Sequence, residues 1–373
     1  MADIDRGEMM RNGGVLKIVG LAAVLMLAGC SGVHSLPPPT FASTDGGDDR
    51  IVKVAFDQYG AIYPDAGTTG LPLPPAEMAR QGDFGLRRYY AGLGLPYDQA
   101  AIRAHVVGLV KQAMARHQAD RLVILIRGFN NSYEATEEGF DFLRERIAAL
   151  APDPDRVLLE VYWDAYTSGT VATPLVATTF LSAIGSSNLA GQCGLRPLLA
   201  LMPDQSDVTF VTHSRGAAVA LSVATDPPDD EGRRAERCMP IPPSPTGLGD
   251  VALVAFAPAV GDGLVRKDDR VPADLFQFFD HIYIAFNHED EQTSKTMLGI
   301  RLGGSILGDT RLASDERYRD QVEAQSGGLM GHETFTNKRH AIGAYFAAEQ
   351  QSQCLLWAGR LRELEPAGCH VKR

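Results

Sequence analysis

The chain has 373 residues, 45% hydrophobic and 22% charged, enough for one large core with appendages and unlike a disordered or low-complexity polypeptide. Its formal net charge of −11, with no basic tract, argues against nucleic acid as a partner and against adhesion to anionic lipid by charge.

Arg6, Arg11 and Lys17 precede an apolar run from Ile18 to Ala28 that ends in Leu27-Ala28-Gly29-Cys30. The run is too short to span a bilayer, and its basic start and small residues before a cut site describe a secretory signal over residues 1–29. Cys30 at its end has the setting of a bacterial lipobox, so acylation there is expected to hold the protein at a membrane, facing the periplasm. Ser31 in place of an acidic residue points to the outer membrane. Residues 30–50, with Pro37-Pro38-Pro39 and Asp45-Gly46-Gly47-Asp48-Asp49, read as a flexible tether, and 51–373 as the folded domain. Residues 1–29 carry three acidic and three basic side chains, so their removal leaves the charge at −11.

Within the domain, Ile51 to Tyr59 alternates as an opening strand, and residues 98–118 have helical spacing through Ile102, Val106, Val110 and Met114. Arg121 to Ile126 is a continuous apolar run, as in a strand covered on both faces. A helix with an inner stripe of Phe140, Leu143, Ile147 and Leu150 follows, stopped by Pro152 and Pro154. Strands are expected at 157–163, 208–212, 251–256 and 282–286, with helical segments at 195–202, 215–225, 263–280 and around 338–350. This alternation predicts an α/β fold with a mostly parallel central sheet and helices on both faces, its site at the carboxyl ends of the strands. Two inserts interrupt it: 164–194, placed where a lid or pocket wall would sit, and 226–250, a Pro- and acid-rich surface loop.

Four cysteines besides Cys30 allow three pairings in an oxidising compartment. Cys354 and Cys369 lie close enough to clip the last helix to the tail; Cys193 with Cys238 is disfavoured if the two sit at opposite ends of the sheet. No spacing suggests zinc, and no metal or organic cofactor is expected.

Thr212-His213-Ser214-Arg215-Gly216 stands between the strand at 208–212 and a small-residue helix. Strand, tight serine-centred turn and closely packed helix make a nucleophile elbow, which exposes a hydroxyl where a histidine can deprotonate it. Thr212 occupies the first position, where glycine is usual. Three further features are expected. An oxyanion hole would come from the backbone amides of Phe129 and Asn130, in Arg127-Gly128-Phe129-Asn130-Asn131, joined by that of Arg215. A carboxylate is expected after strand 282–286, where we choose Asp290, with Asp262 as the rival. A histidine is expected in a late loop, for which glycine-flanked His332 fits, while His340 would cap or pack a helix and His213 would be structural.

With these motifs, Val161-Tyr162-Trp163, and Asp290 to Thr296 followed by Arg301-Leu302-Gly303, the chain resembles a family of bacterial α/β-hydrolases related to esterases and lipases, over about residues 121–345. It departs from that family at Arg127, where histidine normally precedes the glycine, at Thr212, and at Asp164, where proline tends to follow the tryptophan. The resemblance implies an α/β-hydrolase fold and hydrolysis of a small-molecule or lipid ester by Ser214, His332 and Asp290. Two alternatives stand beside it: a catalytically silent envelope scaffold, and an acyltransferase using the same triad.

Overall fold

The computed structural model describes residues 48–75, 84–129, 131–153, 155–164, 183–225, 238, 243–260, 273–287, 296–297, 300–301, 316–336 and 339–369. The signal, Cys30 and most of the tether lie outside the described residues. No described helix is long and apolar enough to cross a membrane.

Seven parallel strands form one central sheet: β1 (Ile51–Phe56), β2 (Arg121–Ile126), β3 (Val157–Trp163), β4 (Asp207–His213), β5 (Val251–Phe256), β6 (His281–Phe286) and β7 (Met330–Thr334), in the order β1-β3-β2-β4-β5-β6-β7. Every residue of β1 and β5 is buried. Successive residues of a strand point to opposite faces, so unbroken burial means that both faces are covered.

The main helices are α1 (Leu86–Gly92), α2 (Gln99–His117), α3 (Tyr133–Leu150), α4 (Gly216–Ala224), α5 (Ala273–Phe278), α6 (Glu316–Gln325), α7 (Ile342–Phe346) and α8 (Glu349–Ala358). Asp98 caps α2 through a bond from the Ala101 amide, and Ser132 caps α3 through one from Ala135. Residues 183–199 are also helical, with a π-helical middle at Ala190–Leu195 packed on α4.

The sequence expectations for β2, β3 and β5 coincide with the observed strands, that for β4 is one residue short at each end, and that for β6 one residue short at its start. Two local expectations change. The opening strand ends at Phe56, because the Asp57 carboxylate accepts the amides of Tyr59, Ala61 and Leu86 and turns the chain. Residues 330–334, expected as a loop, form the edge strand β7 paired along β6; the following helix starts at Ile342 and breaks before α8. Of the helix expected at 263–280, the described part is α5.

Both inserts prove partly internal. Residues 185–194 are buried, with the π-helical turn packed on α4, and Cys238 is buried in a disulfide to Cys193, so the disfavoured pairing is the one present, with the Cα atoms 5.8 Å apart. Cys354 pairs with Cys369 as expected.

Candidate active site

Parallel strands bring all their carboxyl ends to one rim, and the elbow stands at its centre. Ser214 follows β4 directly and has φ of +54°, the left-handed region that costs a residue with a Cβ about 1–2 kcal/mol. The turn is held from three sides. The Ser214 amide donates to the Phe256 carbonyl (2.9 Å), and its own carbonyl accepts from Ala217 (3.2 Å) and Ala259 (3.1 Å).

Two glycines permit the close approach. A Cβ on Gly216 would stand 2.4 Å from the Ile126 carbonyl oxygen, and one on Gly128 would stand 2.7 Å from Ser214 Cβ. Thr212 needs no glycine-like freedom, because it is still within β4, buried, with its hydroxyl turned to the Val254 carbonyl at 3.5 Å.

The residues flanking the serine hold the surroundings. Arg215 is fully buried; its guanidinium donates to Ser187 Oγ (2.8 Å), the Ala259 carbonyl (3.1 Å) and the Ile184 carbonyl (3.2 Å), which ties the 183–199 helix and the β5 exit to the elbow. His213 places Nε2 2.8 Å from the His340 carbonyl oxygen, so that nitrogen carries the proton.

The histidine at the serine is His340. Its Nε2 lies 2.8 Å from Ser214 Oγ, hydrogen-bond reach for a base. His332, expected in that place, lies within β7 and pairs through Nδ1 with Glu323 Oε2 of α6 at 2.8 Å, tying that helix to the sheet edge. The expectation fails because residues 330–334 form a strand, which holds His332 at the sheet edge, while His340 in the segment after it reaches Ser214. Reading 330–334 as a strand was the signal that would have moved the choice to His340.

Of the other expected residues, Asp290, its rival Asp262 and Asn130 lie outside the described residues. Phe129 follows Gly128 on the rim, half-buried against the core, and Arg215 begins the first turn of α4. Among the described residues no group of three His, Cys, Asp or Glu side chains is placed to hold a metal ion.

A cavity opens beside the elbow at the ends of β1, β3 and β2, lined among others by Tyr63, Arg127, Gly128, Tyr133, Trp163 and Asp164. Trp163 Nε1 donates to the Arg127 carbonyl at 2.8 Å and fixes its wall. Burial lowers the Arg127 pKa from its ordinary value.

Below this cavity lies a buried ionic network. Lys53 Nζ meets Glu137 Oε2 at 2.9 Å; Tyr133 donates to Glu137 at 2.8 Å, and Tyr162 also bonds it; Arg144 pairs with fully buried Glu160. Burial pushes the Glu160 carboxyl up to about 7, against the pull of Arg144 and Lys53.

Comparison with known proteins finds no protein-family model that matches the chain and no curated protein significantly similar to it.

Proposed function

We propose that the chain is a serine hydrolase of the α/β-hydrolase fold, cleaving carboxylic esters at the bacterial envelope. The observation that carries this reading is the 2.8 Å contact between His340 Nε2 and Ser214 Oγ at a strained turn on the carboxyl rim of the sheet. In the reaction, Ser214 Oγ bonds to the ester carbonyl carbon as its proton passes to His340 Nε2. The C–O bond then breaks, and the alcohol leaves with that proton. Water repeats the sequence on the acyl-enzyme, releasing the acid and restoring Ser214. The backbone amides of residues 129, 130 and 215 are assigned to the oxyanion. Asp290, a few residues after β6, is assigned to orient His340 and stabilise its charged form. The order Ser214, Asp290, His340 keeps the serine, acid, histidine order of that fold.

Attachment through acylated Cys30 belongs to the same proposal, and the two disulfides support an oxidising location. A fluorophosphonate probe tests the chemistry. Wild-type protein and H332Q should be labelled alike, while S214A is unlabelled and H340Q is slowed at least about a hundredfold. A folded wild type that resists labelling would refute the proposed activity and favour a scaffold.

A further inference from the structure

The cavity beside the elbow sets a few polar groups, among them Tyr63, Arg127 and Asp164, in a wall that also carries Phe56, Val161 and Trp163. Tyr63 is 2% exposed, yet its hydroxyl finds no hydrogen-bond partner, and neither do the buried Nε and Nη1 of Arg127. Buried donors left unpaired carry a standing desolvation penalty that an acceptor oxygen relieves. The Tyr63 backbone N–H donates to the Ala55 carbonyl (2.9 Å), and Trp163 donates to the Arg127 carbonyl, so the backbone of both residues is set at the wall. The carboxylate of Asp164 lines the same space. Its charge opposes that of Arg127, so the cavity is no general anion site. A hydroxyl suits such a wall: it accepts from Arg127 or Tyr63 and donates to a carboxylate, which has more than one lone pair to offer. Gly128 links the cavity to the serine: it lines the cavity and packs against Ser214, where a Cβ would stand 3.2 Å from Ser214 Oγ.

Resting on the serine-hydrolase reading, we propose that this cavity seats a short hydroxylated acyl group, with Arg127 and Tyr63 as its specificity-determining donors, so that the preferred substrates are esters of small hydroxy acids rather than of fatty acids. Glycolyl and propionyl esters of 4-nitrophenol test this, because they differ only by hydroxyl in place of methyl. With kcat/KM divided by each ester's spontaneous hydroxide rate, the wild type should favour glycolyl at least about tenfold, since a site built to bond a hydroxyl rejects the analogue lacking it. R127M and Y63F, shown to be folded by thermal melts, should each shrink that ratio. A wild-type preference for propionyl or longer chains, or a ratio that neither variant moves, would overturn the proposal. Binding of free glycolate against propionate to S214A, followed by calorimetry, gives a readout independent of turnover. Glycolate selectivity lost in R127M/S214A supports the cavity assignment even if labelling sinks the hydrolase reading, and equal or absent binding of the two acids counts against it.

Discussion

Ser214 carries a conformational penalty that a glycine would not. Replacing it by glycine should raise the unfolding free energy by about 1 kcal/mol, the strain relieved less the entropy glycine adds to the unfolded chain, while labelling disappears. Denaturant melts of the two proteins measure the difference, and a less stable S214G would show that the turn is unstrained. His213 acts through another residue, since its ring holds the backbone of His340 rather than the serine. H213L should slow labelling by about ten- to a hundredfold, the cost of a displaced base, and shift its pH profile; H213Q, with a donor at a similar reach, should recover part of it. A leucine variant labelled as fast as wild type would leave His213 a packing residue.

At the scale of elements, legibility in the sequence followed burial. Strands such as β2 and β5 are read from unbroken apolar runs because both their faces are covered. β7 is an edge strand of Met330-Gly331-His332-Glu333-Thr334, and pairing on one side leaves it polar and turn-like. That one misread element displaced the histidine assignment by eight positions, whereas the elbow was legible because strand, turn and helix chemistry coincide at Ser214. Arg127 and Tyr63 were harder to combine, since only the pairing of β1 with β3 brings the chain after Phe56 to the rim.

The strand faces under α3 also make a pH prediction. Glu160, with its carboxyl raised from 4.5 to about 7, binds more protons folded than unfolded. Its contribution therefore favours the folded state at low pH and is lost as pH rises from about 4.5 through 7. Asp57, raised to about 6 by burial, acts in the same direction. Thermal melts of wild type should fall across that window relative to E160Q, and parallel curves for the two would contradict the assignment.

For the whole molecule, the two disulfides close different parts of the chain. Their sequence separations of 15 and 45 correspond to about 3 and about 4 kcal/mol of loop entropy. C354S/C369S should lose most of the smaller figure in denaturant melts without loss of labelling. C193S/C238S should lose more, and should also slow labelling, because the helix that Cys193 belongs to is bonded to Arg215 beside Ser214. Equal losses with unchanged labelling would separate that helix from the site. The pairing of Cys193 with Cys238 was not readable beforehand, since it depends on residues 183–199 doubling back beneath α4.

Asp49, just before β1, is pinned to the last turn of α2 by Arg116 and by His117, at 2.7 Å for the latter. Beneath the same end of the sheet, Gly359 accepts from Thr209 at 2.9 Å and Leu361 from Arg156 at 3.2 Å. The leading segment and the carboxyl tail thus share the floor, and the serine stands about 20 Å away on the roof, a strand's length. Whatever the leading segment is joined to therefore approaches the molecule from the floor, on the side away from Ser214.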